Sequence, residues 1–591
     1  MQRTLIAKRY FSVPDMVVLF LLATAIYGVF SIAHEWRSEF HPITEIDLSF
    51  SALPYYAFLS AMRGLVAFSI SLGFTLIVGY MAAKSKTAEK IIIPLIDILQ
   101  SIPVLGFLPG LLLGLVAIFP ERNFGLELAA IIMIFTGQVW NMTLGYYTSL
   151  KSIPGEFNEA SAVMGLNWKE RLLRVELPYS AVNLAWNSLL SMAGGWFFLI
   201  TCEAFTLGEN QYRLPGIGAY MDVAIQQNDT AAIVLALIAM VFLIVSMDFV
   251  IWRPLLSWVQ KFRLEEGSGS SLSEPLMQIW FRESQLVQWL TQVVREKRWS
   301  QHLQFKYFKA KVLRRLERRR YWSAFNQRLS QSVWITRIKS LHLLRWIQFV
   351  LVILILAFLL FCAFRLFVIL SKIPVGHWVI LFRNTLWTLV RVLFALMIST
   401  LWAVPVGIWI GTSPQRIRIA QPVIQVLASF PAPMLYPLVL GVLFALNVSF
   451  DVGSMLLILL GVQWYVLFNV LAGAMKIPNQ LSDALSLMET SVWDRWSKLY
   501  LPSIFPSLVT GWITAAGGAW NASVLAEYTS FRGDILKTPG LGSTLSVSLV
   551  NKNYTLFAAS LTLMVFVVIV INRFVWLRVL RLAETRFRMD S

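Results

Sequence analysis

Long apolar runs recur along the chain, broken by short polar stretches. Twelve can be placed, at roughly 14–33, 57–83, 91–119, 126–148, 182–205, 230–252, 347–371, 378–411, 419–446, 454–475, 505–526 and 554–577. A helix needs about 20 apolar residues to cross hydrocarbon some 30 Å thick. Hydrocarbon cannot hydrogen-bond to a backbone, so each run is expected to be a helix that satisfies its own polar groups. The longest, 378–411, leaves room for tilt or an interfacial turn. The pattern predicts an all-α polytopic membrane protein.

Composition agrees. Of 591 residues 57% are hydrophobic and only 14% charged, whereas soluble domains carry about 25% charge. The net charge of +18 would suit nucleic acid, but its placement suits a membrane. Most of the excess lies between Arg253 and Arg345, including Lys309, Lys311, Arg314, Arg315 and Arg318 to Arg320. More flanks the ends, at Arg3, Lys8 and Arg9 and at Arg573, Arg578, Arg581, Arg586 and Arg588. Basic residues mark the cytoplasmic side, which puts both termini and the central segment there. Ser31-Ile32-Ala33 after the first run resembles a cleavage site, but the run is long enough to span and is expected to stay. Cys202 and Cys362 lie in apolar runs and support neither a disulfide framework nor a metal site.

The chain reads twice. Arg63, Pro94, Pro103 and Pro109 return 328 residues later as Arg391, Pro422, Pro431 and Pro437. Trp140, Pro154, Pro178, Trp196, Glu203, Pro215 and Trp252 return 324 later as Trp464, Pro478, Pro502, Trp520, Glu527, Pro539 and Trp576. The four-residue change falls in a loop, where length changes are tolerated. Residues 1–254 form a first half with its core at about 55–254, and 346–591 a second with its core at about 378–580. An even number of spans per half gives two tandem six-helix repeats of the same orientation, enclosing a pathway at their interface.

Two polar loops, 149–181 and 475–504, interrupt the halves on the cytoplasmic side. In the first, Ile153-Pro154-Gly155 opens a short helix with Glu156 and Glu159 in its first turns, where the helix dipole favours acids. Gly165 permits a reversal at positive φ, Asn167 to Arg171 open a second amphipathic helix, and Leu177-Pro178 end it. Glu159-Ala160, Gly165 and Leu177-Pro178 resemble the EAA coupling loop of ABC importer permeases, the binding-protein-dependent type I inner-membrane components. Ser60-x-x-Arg63 and Ser101-Ile102-Pro103, with Thr388-x-x-Arg391 and Ser429-Phe430-Pro431, extend the likeness to the nitrate/sulfonate/taurine/bicarbonate class in fused, duplicated form. It covers nearly everything except the central segment and the first and seventh runs. The second loop departs from it: Asp483 and Ala484 stand for Glu-Ala, Glu489 replaces the glycine, and Leu501-Pro502 remain.

The resemblance implies a translocation subunit that couples through both loops to two copies of a separate ATPase, which would hold ATP and Mg. It also implies an extracytoplasmic solute-binding protein, an anionic solute and a bacterial-type inner membrane. Neither enzymatic activity, cofactor nor metal is expected in this chain, since no phosphate loop or spaced His set appears.

Glu203 and Glu527, near the outer ends of their spans, are pathway candidates because intramembrane carboxylates are costly and default to function; helix capping is the plainer alternative. Trp196 and Trp520 are candidate constrictions. Arg63 and Arg391 are candidate partners of the glutamates, or interfacial anchors. Pro215-Gly216-Ile217-Gly218 and Pro539-Gly540-Leu541-Gly542 read as turns. The basic segment 255–345 fits a helical hairpin on the ATPase or a basic helix on anionic lipid, with tethering as its minimum role and nucleic acid as its least suited partner. Two other functions compete: an ion-gradient carrier, which would need mid-span relay charges, and a non-transporting membrane scaffold.

Overall fold

The computed structural model describes residues 13–40, 43–207, 210–262, 276–288, 360–477, 490–531 and 534–586, with isolated positions between 350 and 358 and at 481 and 488. The chain divides into two compact units, Met1–Thr24 with Glu274–Ile373, and Ala25–Ser273 with Pro374–Ser591. In the first, the buried Asp15 carboxylate accepts from Ser284 Oγ at 2.8 Å and from Leu286 N at 3.1 Å. Most of segment 255–345 and part of the expected span 347–371 lie outside the described residues, as do Asp483, Ala484 and Glu489.

The second unit carries both repeats, and the protein is an all-α polytopic membrane protein. Among the described residues nine helices are long and apolar enough to cross a membrane, and eleven if each of two bent pairs counts once. Those pairs correct the sequence expectation. Runs 91–119 and 419–446 are not straight spans: Lys86–Gln100 with Val104–Ile118, and Pro414–Ser429 with Ala432–Ala445, bend by 84° and 83°. Pro103 and Pro431 are the cause. Proline lacks the helical N–H and forces the residue before it out of helical geometry, and Ile102 and Phe430 are both extended, at ψ 128° and 126°.

The duplication extends to irregular backbone. π-helical turns at Leu172–Glu176 and Asp248–Trp252 return at Trp496–Tyr500 and Asn572–Trp576. Helices Phe124–Lys151 and Leu177–Glu203 form the packed centre of the first half, as Phe450–Ala474 and Leu501–Ala526 do in the second. Two features were not foreseen. A short antiparallel hairpin follows each of these last helices, Ala204–Leu207 with Asn210–Arg213 and Tyr528–Phe531 with Asp534–Lys537. Each Pro-Gly-x-Gly then opens a helix, Ile217–Gln226 or Leu541–Val550, rather than a plain turn.

Candidate functional site

The first polar loop is a helix pair. Helix Gly155–Val163 ends where Gly165, at φ +63°, donates to the Ala162 carbonyl and Leu166 to that of Ser161. This pair of closing bonds needs a left-handed residue, which glycine supplies without steric cost. Asn167 then caps Trp168–Arg171 reciprocally: Glu170 N–H donates to its side chain at 3.0 Å, and Asn167 N–H to the Glu170 carboxylate at 3.1 Å. Phe157 and Tyr179 pack near Tyr146, Leu150 and Ile153, which roots the loop in the bundle. Glu159, Ala160 and Gly165 stay exposed, as do Val163 (89%), Met164 (74%) and Trp168 (63%). Large apolar side chains that exposed, beside one another, mark an interaction surface. Leu177-Pro178 do not end the second loop helix as the sequence suggested: Trp168–Glu203 runs on through them, as Val492–Ala526 does through Leu501-Pro502, with a π-helical turn just before each Leu-Pro pair. Met488, Val492 and Trp493 of the second half are equally exposed.

A charge cluster ties the first loop to the bundle. The Glu176 carboxylate, 1% exposed, accepts from Lys84 Nζ at 2.5 Å and from Arg171 Nε at 2.7 Å. Arg171 Nη2 also donates to Asn158 Oδ1 at 2.6 Å. Nearby, Glu89 accepts from Tyr147 Oη at 2.5 Å and Lys151 Nζ at 2.7 Å.

The two glutamates singled out from the sequence sit in buried knots. Glu203 accepts from Ser60 Oγ at 2.6 Å, from Gly218 N–H at 2.7 Å, and from Arg63 Nη1. Arg63 is bidentate to Glu127, at 2.8 and 2.7 Å, and Ile217 N–H donates back to Ser60 Oγ at 2.9 Å. Glu203 thus caps helix Ile217–Gln226 while neutralising half of Arg63. Glycine is required here for space: a Cβ on Gly216 would stand 2.3 Å from the Glu203 carboxyl carbon, and on Gly540 it would stand 2.1 Å from a Glu527 oxygen.

The second knot repeats this with a weaker third partner. Glu527 accepts from Thr388 Oγ1 at 2.7 Å, Arg391 Nη1 at 3.0 Å, and the Gly542 and Ser543 N–H groups at 2.8 and 3.3 Å. At the position of Glu127 stands Asp451, one methylene shorter, 63% exposed and 3.6 Å from Arg391. Thr538 bridges the gap, accepting from Arg391 Nη2 at 2.6 Å and donating to Asp451. Arg391 Nε is buried with no partner.

A cavity of about 200 Å³ lies elsewhere, between the halves. Equivalent positions line it from both sides: Gly137 and Gly461, Trp140 and Trp464, Gly194 and Gly518. Their polar groups alternate. Thr136 and Asn141 face counterparts Leu460 and Tyr465, while Leu190 and Phe197 have counterparts Thr514 and Asn521. Trp520 joins this lining, and Trp196 lines a smaller recess beside Asp248 and Gln425. Arg63, Arg391, Glu203 and Glu527 are not among the lining residues, and none of those residues is charged. The small residues Ala193, Gly194, Gly517 and Gly518, which in the sequence suggest close helix packing before two candidate constriction tryptophans, instead open onto this cavity.

A family model described as "Binding-protein-dependent transport system inner membrane component" matches residues 75–251 and 403–587. Its two starts are 328 residues apart, the same offset as Arg63 and Arg391. The chain is 25% identical over 219 residues to the bicarbonate transport system permease protein CmpB of Synechococcus elongatus, covering 36% of this chain and 74% of that protein. It is 30% identical over 164 residues to the taurine transport system permease protein TauC of Escherichia coli, covering 27% and 56%. It is 27% identical over 140 residues to the nitrate import permease protein NrtB of Leptolyngbya laminosa, covering 24% and 49%.

Proposed function

The chain belongs to the binding-protein-dependent transport system inner membrane components, and from that premise we propose that it is a complete translocation unit of an ATP-driven importer. The observation that carries this is the cavity lined by equivalent positions of both halves. Each half supplies one wall of this space, and here both walls come from one chain. The relatives' named solutes, the anions bicarbonate and nitrate and the sulfonate-bearing taurine, support a small cargo that carries an anionic group. With no charged side chain in the lining, the cavity would hold that cargo through neutral amide, hydroxyl and indole donors. Weak, multiple contacts of this kind allow release as well as entry.

In this reading the exposed face around Glu159, Ala160, Val163, Met164 and Gly165 docks one subunit of a separate ATPase homodimer, and the second loop docks the other. ATP and Mg are held there, not here. Both termini and the loops face the cytoplasm, and a solute-binding protein delivers cargo at the opposite face, where the hairpins lie. Glu203 and Glu527 act in this scheme as latches that hold the segments before the final spans, not as contacts of the moving solute. The ion-gradient carrier loses support, because Glu203 and Glu527 are each tied to an arginine.

Copurification and uptake test the reading together. Wild type should retain an ATPase, and Glu159→Lys with Met164→Asp should release it. Gly194→Trp should abolish uptake while the ATPase stays bound. Uptake that continues with no ATPase present would sink the proposal.

A further inference from the structure

A loop that is pushed can move a bundle only if the joint between them does not yield. In the first half that joint is Glu176. It sits in the π-helical turn between Trp168–Arg171 and Leu177–Glu203, fully buried, and gathers cations from two directions. Arg171 carries the link on to Asn158 in the exposed loop helix, and Lys84 carries it to the end of helix Leu53–Lys84. That helix bears Arg63 in its buried knot 21 residues earlier, about 32 Å away along a helix axis. One rod therefore connects the loop joint to the latch at the other side of the bundle.

The second half lacks these groups. Lys84 corresponds to Thr412 and Glu176 to Tyr500, so Arg495, the counterpart of Arg171, meets no carboxylate from that position; among the described residues it donates to Thr490 Oγ1 at 3.3 Å. The neighbouring Glu89, Tyr147 and Lys151 correspond to Ile417, Leu471 and Met475. Charge-assisted bonds fix direction as well as distance, whereas apolar contact is non-directional.

We propose that Glu176 is the positioning residue through which the first loop drives helix Leu53–Lys84, and that the second loop, with no carboxylate at the equivalent position, acts through a more yielding joint. The inference rests on the permease reading, but part of its test does not. The full chain with its copurified ATPase, in proteoliposomes, is assayed for ATP hydrolysis and for uptake of labelled bicarbonate, nitrate and taurine. Amide exchange at residues 155–177 is followed in the same preparations.

Glu176→Gln keeps the ATPase bound and lowers uptake per ATP hydrolysed by about tenfold, within the usual range of coupling energies. It also speeds exchange across the loop, and Glu176→Asp restores most of both. Tyr500→Phe changes the uptake ratio by less than about twofold, as expected where no directional bond is lost. Should Glu176→Gln fail to accumulate, Lys84→Met leaves the carboxylate paired with Arg171 and gives the same shifts in smaller measure. Unchanged loop exchange in Glu176→Gln, or Tyr500→Phe as damaging as Glu176→Gln, overturns the inference. Absence of ATP-dependent uptake in wild type overturns the permease reading instead, and the exchange result then decides the joint alone.

Discussion

The two halves share one backbone and differ in how they hold it together. The first uses directional charge at both ends: Arg63 between two carboxylates, and Glu176 between two cations. Among the described residues the second keeps Arg391 with Glu527 as its one close buried pair, inserts Thr538 before a largely exposed Asp451, and has the neutral Thr412 and Tyr500 at the positions of Lys84 and Glu176. A fused duplication frees its copies from being identical. In a dimer of separate chains every substitution appears twice, whereas here one wall can stiffen while the other softens.

Removing the arginines should separate the halves most. Arg63→Met leaves Glu127 and Glu203 buried without their cation, a loss of about 3–5 kcal/mol for a broken buried pair. Arg391→Met strands Glu527 alone, which keeps a hydroxyl and two N–H donors. The measurement is thermal unfolding of the purified chain; an Arg391→Met protein less stable than Arg63→Met would break the comparison.

The glycines beside the knots are the symmetric control. Gly216→Ala and Gly540→Ala both drive a methyl into a carboxylate, and each should cost about 1–3 kcal/mol through overpacking. Clearly unequal shifts in melting temperature would show that backbone, not charge, separates the halves.

At the third partner of each knot the expected difference is smaller but cleaner. Glu127→Gln should destabilise by about 1–3 kcal/mol, since it weakens a buried charged contact. Asp451→Asn, at a side chain 63% exposed, should cost less than about 1 kcal/mol. Chemical denaturation of the two variants side by side distinguishes them, and equal losses would contradict the partner assignment. The mildest case is the exposed pair Asp494 and Lys498, 2.6 Å apart on one helix face. Lys498→Ala should leave the unfolding midpoint nearly unchanged, because so exposed a pair contributes little; a large shift would mean that the second loop end relies on charge after all.

Much of this was legible beforehand. Paired prolines and tryptophans at fixed offsets revealed the repeat, and Gly165 followed by Asn167 to Arg171 marked the reversal and the second helix of the first loop. Arg63 and Glu203 were recognised as a possible pair, yet their burial was not, because it depends on helices brought together across 140 residues. Glu127 was overlooked for the same reason: in sequence it is an acid near the start of an apolar run, and such acids usually face water. The cavity was hidden more deeply. Its lining alternates polar and apolar groups between two walls, a pattern that no single helix displays.

Sequence alone determined the membrane class, the duplication and the local turns, since hydropathy, proline and glycine act over a few residues and need no distant partner. Only the tertiary structure decided which buried charges lock the bundle and which neutral groups line its cavity. Burial depends on what packs against a side chain, and here the partners lie a hundred or more residues away, or in the other half.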